Sequence, residues 1–208
     1  MSLAGSALTP YAAAQAAGKV VLRRLLLDTA SSLLEREGPE ALTMRRIAAE
    51  AGCSTSVLYT MFGGKAGIAD ALWREGFDRL SAVLDAATGE HPLERLAAIG
   101  RAYRANALAN RSYYAIMFQR PIPGFEPSRE AYEASLKPLR TLADTVAECI
   151  RAGVFRDEDP DHIAGVLWAA THGAVSLELA GYEGAVDAEH RFDDLCSAAA
   201  AWFMRRRS

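Results

Sequence analysis

Residues 43–65 read TMRRIAAEAGCSTSVLYTMFGGK. Two short helical patterns stand on either side of Ala51-Gly52-Cys53. Thr43 is a good N-cap for a helix from Met44 to about Glu50, and Ser54 for a second from there to Met61 or Phe62. Gly63-Gly64 breaks the pattern again. Short helices joined by a tight glycine turn have helix-turn-helix spacing. Met44, Ile47, Ala48, Val57, Leu58 and Phe62 supply an inward face, and Gly52 the turn conformation that a Cβ would penalise. Thr55, Ser56, Tyr59 and Thr60 are left outward on the second helix. Short hydrogen-bonding side chains let a helix approach base edges closely, which a surface of Leu or Glu does not. Arg45, Arg46 and Lys65 flank that face as candidate phosphate contacts.

Outward from this stretch the pattern is helical almost throughout. Val20, Val21, Leu25, Leu27, Ala30, Leu33 and Leu34 mark a broad apolar face that ends at Gly38-Pro39. A long helix is expected from near Lys65 to Ala87, another over 93–109, and a short aromatic one around SYYAIMFQ (112–119). RPIPGFEPS (120–128) is the clearest loop. One helix is expected from Arg129 to Ala152. Another starts at DEDPDH (157–162), with Asp159 as N-cap and Pro160 at N1, and runs to about Ala180. A last helix spans Ala188 to Met204. No segment alternates with period two, so the reading is an all-α chain of about nine helices. Its divisions are an N-terminal arm over 1–18, flexible or helical, a helix-turn-helix head over 19–64, and a helical bundle over 65–208.

Composition narrows the function classes. The chain has 208 residues and three isolated cysteines, Cys53, Cys149 and Cys196, without any CxxC pairing. An odd count argues against a disulfide framework, and with neither a secretory signal nor a membrane-length apolar run the expected location is cytoplasmic. Net charge is −3. Residues 1–80 carry 9 Lys+Arg against 8 Asp+Glu, and residues 81–208 carry 14 against 18. Any nucleic-acid affinity therefore comes from a local patch rather than from bulk charge.

The full string TMRRIAAEAGCSTSVLYTMFGGKAGIADAL, preceded by LLLDTASSLLEREG, closely resembles the DNA-binding domain of the TetR family of transcriptional regulators. The family pattern runs roughly T-x-x-x-I-A-x-x-A-G-x-S-x-x-x-L-Y-x-x-F-x-x-K. Thr43, Ile47, Ala48, Ala51, Gly52, Ser54, Leu58, Tyr59, Phe62 and Lys65 match it without a gap. Cys53 stands where a β-branched residue is usual, Met61 where His is common, and Gly63-Gly64 where Pro-Ser is common. The resemblance implies phosphate contacts from Thr43, Tyr59 and Lys65, and places Ser54, Thr55, Ser56 and Thr60 in or beside the major groove. The alternative for Thr43 and Ser54 is a helix cap and nothing more, and for Tyr59 chiefly a core residue. Arg45 and Arg46 are not separable by sequence, with Arg45 the favoured contact.

For the rest of the chain the resemblance implies a ligand-binding and dimerisation domain. LWAATHGAVSLELAG (167–181) is similar to the penultimate helix of many members. Gly165, Ala169 and Gly173 recur every four residues as a flat stripe, and Phe192, Leu195, Ala199, Trp202 and Phe203 give the last helix an apolar face. Together they suit a two-fold homodimer interface. Tyr103, Tyr113, Tyr114, Met117, Phe118, Trp168 and His172, with Phe125, form an aromatic-rich set fitting a mid-sized apolar effector. Tyr103, His172 and Glu178 are the candidates for orienting it, and the loop 120–128 for an entrance. DEDPDH and DAEHRFDD (187–194) lack metal-ligand spacing, and no hydrolase, P-loop or dinucleotide fingerprint is present, so neither an enzyme nor a cofactor or metal is expected. The expected function is a ligand-responsive DNA-binding regulator, a repressor released from its operator by a small, largely apolar or aromatic effector. Its partners are a palindromic double-stranded operator, a small-molecule effector and a second copy, with no membrane; the alternative is a helical protein–protein module without specific DNA contact.

Overall fold

In the computed structural model, which describes residues 9–182 and 187–205, the chain folds into ten α-helices and one 3-10 turn. Among the described residues the only β pairing is an isolated bridge between Phe155 and Met204. Two compact units emerge: residues 1–72 with 120–126, and residues 73–119 with 127–208.

The first unit begins with α1 (Pro10–Glu37). Thr9 caps it by accepting from the Ala12 amide, and Pro10 sits at N1, where its missing N–H costs nothing. The described part of the expected arm, 10–18, is thus helix, while residues 1–8 lie outside the described residues. Gly38, at φ 80°, closes α1 before the turn Pro39–Ala41. α2 (Met44–Ala51) and α3 (Thr55–Phe62) follow. Leu26, Leu27, Leu33, Ile47, Leu58 and Ile68 are essentially fully buried and form the core. Between α2 and α3, Gly52 adopts φ 67°, ψ 31°, and its amide donates to the carbonyls of Ala48 and Ala49. α4 (Lys65–Asp85) packs its first turn against the end of α3. A Cβ on Gly67 would stand 1.8 Å from the Phe62 carbonyl oxygen, so only glycine fits this junction. The boundary between units falls inside α4, between Leu72 and Trp73.

The second unit holds the remainder of α4 with α5 (Pro92–Ala109), α6 (Arg111–Phe118), α7 (Arg129–Ser135), α8 (Lys137–Arg151), α9 (Pro160–Leu179) and α10 (Ala188–Phe203). The segment expected as one helix over 129–152 is two, broken at Leu136. Pro138 has no amide to continue a ladder and sits in the first turn of α8 instead. α9 begins as read: the Asp159 carboxylate accepts from the Asp161 amide and Pro160 occupies N1. α9 packs between α8 and α10, and α5 lies against α8 and α9. After α10 the chain is tied back to the segment following α8, where the Arg156 amide donates to the Phe203 carbonyl and the Arg205 amide to that of Val154. No helix of the described residues is long and apolar enough to cross a membrane.

Candidate nucleic-acid interface and ligand cavity

In the first unit the outer face of α3 is polar and open. Ser54, Thr55, Ser56, Tyr59 and Thr60 are all exposed, as is Lys65 at the start of α4. Tyr59 is 55% exposed, which settles its choice between core and surface. Thr43 does cap α2, its hydroxyl accepting from the Arg46 amide at 3.2 Å. Ser54 occupies the N-cap position of α3 without a side-chain cap bond, so its hydroxyl remains available. Among the described residues, no hydrogen bond engages the side chains of Ser54, Thr55, Ser56, Tyr59, Thr60 or Lys65.

The structure separates the two arginines. Arg46 is clamped by Glu37 at 2.7 and 3.2 Å and by Glu50 at 2.8 Å. Its hydrogen bonds to Glu37, then to Glu50, hold its pKa well above the ordinary arginine value. Arg36 joins the network at 2.8 Å from Glu50, and its hydrogen bond, followed by that of Arg46, holds the Glu50 carboxyl below the usual range. Arg45, one residue earlier, is exposed and in no ion pair among the described residues. Sequence reasoning missed this network because the Glu37–Arg46 and Arg36–Glu50 pairs join residues 9 and 14 positions apart on different helices; only Arg46–Glu50 is a four-residue pair within α2. At the other end of α3, the Arg23 guanidinium lies 4.9 Å from the centroid of the Phe62 ring.

The second unit encloses a cavity of about 670 Å³. Trp73, Phe77, Leu96, Leu142, Leu167 and Phe192 are typical of its wall, with contributions from α4 to α10. Four of the seven expected pocket residues line it: Tyr103, Met117, Phe118 and Trp168. Tyr113, Tyr114 and His172 do not; they form a layer behind the wall. Arg79 stacks on the Tyr113 ring at 4.4 Å. The hydroxyls of Tyr103 and Tyr114 converge on His172 Nδ1 at 2.8 and 3.1 Å, and Tyr114 also bonds Ser176 at 2.7 Å. The imidazole stacks on Trp168 and Tyr114, and the edge of Phe118 meets it at 4.6 Å between centroids. Burial lowers the His172 pKa and raises those of both tyrosines. Glu178 is occupied elsewhere, in a bidentate pair with Arg104 at 2.8 and 2.9 Å that joins α9 to α5. Residues 120–126, including Phe125, group with the first unit.

Phe192 requires a correction. It was expected on the outer face of α10, yet it is 3% exposed and forms cavity wall. α10 turns Phe192, Cys196 and Phe203 to one side and Leu195 and Trp202 to another, which the residue types alone do not distinguish. Of the other expected interface positions, Ala169, Leu195 and Trp202 are exposed and Gly165, Gly173 and Ala199 half-buried. A Cβ at Gly165 or Gly173 would meet nothing within 4 Å. Leu177 is exposed on the same side of α9 as Gly173.

A family model described as "Bacterial regulatory proteins, tetR family" matches residues 26–72, and one described as "Tetracyclin repressor-like, C-terminal domain" matches 96–199. The chain belongs to the TetR family. Among curated proteins, an uncharacterised helix-turn-helix-type transcriptional regulator of Mycobacterium tuberculosis is 25% identical over 185 residues, covering 88% of this chain and 82% of that one. A solved Rhodococcus sp. RHA1 protein of unknown function superposes with a TM-score of 0.78 at 30% identity, over 88% of this chain and 96% of that one. A putative transcriptional regulator from Saccharomonospora viridis, solved in complex with choline, superposes with a TM-score of 0.68 at 27% identity, over 90% of this chain and the whole of that one. This TetR-family protein is accordingly a DNA-binding transcriptional regulator, of the all-α fold its relatives share.

Proposed function

We propose that this regulator is a cytoplasmic homodimeric repressor, released from a palindromic operator by a small, largely apolar or aromatic effector. The observation that carries the reading is the row of exposed hydroxyls on α3, none engaged within the protein among the described residues. A helix bearing free hydroxyls and no bulky aliphatic group on its outer face fits the major groove. Ser54, Thr55, Ser56 and Thr60 read bases, while Thr43, Arg45, Tyr59 and Lys65 hold the backbone. The division of labour follows the sequence reading, with residues 1–18 as an arm, 19–64 as the DNA-binding head and 65–208 as the ligand-binding and dimerisation part.

The outer face of α9 and α10 supports the dimer. Trp202, 71% exposed, and Leu195 on α10 join Ala169, Gly173 and Leu177 on α9 as apolar surface that water stabilises poorly. Two copies pack these helices about a two-fold axis. Effector binding acts through α4, whose residues Ile68 and Leu72 belong to the core of the first unit while Trp73, Phe77 and Leu80 line the cavity of the second. Because half-sites lie about 34 Å apart, a small tilt of α4 in each subunit is enough to lose the operator.

Selection from a random duplex pool at about 150 mM salt, near physiological ionic strength, tests the reading. The expected result is an enriched palindrome with half-sites about one turn apart, whose binding weakens roughly tenfold to a thousandfold between 50 and 200 mM salt. No enrichment together with a flat salt response would overturn it in favour of a protein–protein module. Thr60→Glu sets a carboxylate against the groove and is expected to reduce operator affinity by about a hundredfold while the dimer stays intact.

A further inference from the structure

We infer that the cavity of the second unit takes an amphiphile: an apolar body enclosed by the helices and one net-neutral polar headgroup held at a rim formed by α5 and α10. The inference deepens the effector reading above and rests on it only for calling the ligand an effector.

The interior wall offers a ligand almost nothing to hydrogen-bond. The hydroxyl and thiol side chains lining it inside are already engaged. The Tyr103 hydroxyl is on His172 at 2.8 Å, the Thr171 hydroxyl donates to the Leu167 carbonyl at 2.9 Å, and the Ser135 hydroxyl to that of Tyr132. The Cys196 thiol lies 3.6 Å from the Thr171 hydroxyl, and burial pushes its pKa up, which keeps it neutral. A polar or charged ligand body enclosed here would lose its water without replacement, a cost of several kcal/mol per group.

The rim is different. Arg101 and Asp193 are the only charged residues on the wall among those described, and both are exposed. Each has a lining neighbour four residues away on its own helix, Ala97 on α5 and Ser197 on α10, and these too are exposed. The two helices meet beside them, since a Cβ on Gly100 would lie 3.9 Å from the tip of the Phe192 ring. No ion pair or side-chain hydrogen bond occupies Arg101, Asp193 or Ser197 among the described residues. One cation, one anion and one hydroxyl at a single edge suit a headgroup that both donates and accepts and carries no net charge. Asp193 and Ser197 each lie two positions from Leu195, hence on a different side of α10 from the apolar dimer face, so a second copy there leaves this rim open.

Calorimetric titration of the full chain with 1-hexanol, 1-octanol and 1-decanol tests the apolar body. Affinity is expected to rise roughly fourfold per methylene; affinity independent of chain length would overturn the inference. Decylphosphocholine, decanoate and decyltrimethylammonium, below their micelle concentrations, test the rim. The zwitterion is expected to bind roughly threefold to tenfold more tightly than either singly charged probe. Asp193→Ala should shift preference toward decanoate and Arg101→Ala toward decyltrimethylammonium, with the same gain per methylene. A singly charged probe preferred by the wild type, or a preference unmoved in both variants, would overturn the headgroup assignment. Operator binding by the same preparation keeps the two readings apart. Chain-length dependence without DNA binding sustains the amphiphile and sinks the repressor, and DNA binding without chain-length dependence does the reverse.

Discussion

Two exposed helical surfaces of this protein present opposite chemistry. The outer face of α3 carries hydroxyls and a phenol, and the outer face of α9 and α10 carries Leu177, Leu195 and Trp202. Water solvates the first at no cost, so that face can stay open until a duplex replaces water at each hydroxyl. It solvates the second poorly, and the large aliphatic and indole surfaces gain from a lasting partner. A transient polar contact and a permanent apolar one are what a regulator needs if it must let go of DNA without falling apart. The contrast extends inward. The first unit is a small core capped by hydroxyl residues and closed by glycines, whereas the second encloses a large cavity.

The largest expected effect breaks the apolar side of the comparison. Leu195→Glu combined with Trp202→Glu sets four carboxylates into the proposed two-fold interface. By sedimentation it should convert dimer to monomer, and operator affinity should fall by about a hundredfold or more. A dimer that survives this change would place the interface elsewhere. Next, Gly67→Ala forces a methyl into the Phe62 carbonyl, where 1.8 Å is far inside contact distance. Thermal unfolding should show about 1–3 kcal/mol of destabilisation, and operator binding should weaken with it. An unchanged melting temperature would mean that the α3–α4 junction yields freely.

A smaller effect sharpens the polar side. Arg45→Ala should weaken all duplexes about equally and reduce the salt slope by about one per subunit, whereas Arg46→Ala, whose charge Glu37 and Glu50 already neutralise, should leave that slope unchanged. Equal slopes for the two variants would mean that the acidic clamp opens on DNA.

The smallest effect is in the layer behind the cavity. Burial holds the His172 pKa below its ordinary value of about 6.5, so the unfolded chain takes up the proton first. The contribution of the neutral ring is complete above that value and is lost as pH falls from about 6.5 toward the folded-state pKa. Between pH 7.5 and 5.5 the wild type should lose up to about 3 °C more in melting temperature than His172→Gln. Identical losses would show that the ring accepts a proton in place, its tyrosine partners reversing their hydroxyls.

Much of the head was legible because its signals are local. Thr43 as a cap, Gly52 as a left-handed turn and Thr55, Ser56 and Thr60 as surface all depend on neighbours within four residues. The aromatic richness of 103–118 was legible too, and it marked the right helices. What the residue types did not say was which of those rings face empty space. Tyr113 and Tyr114 have the composition of pocket residues and serve instead as the layer behind one. Phe192 has the composition of an interface residue and is wall.

By itself, then, the sequence determined most of the helices, their caps, the glycine turn and the outward hydroxyl face of α3, since each follows from backbone preference and 3.6-residue periodicity. Tertiary structure alone decided which arginine is spent on Glu37 and Glu50, where the cavity lies, and which side of α10 stays exposed. Those outcomes depend on contacts between side chains on different helices, from the 9 positions that separate Glu37 from Arg46 to the 69 that separate Tyr103 from His172, and the periodicity of one helix does not fix them.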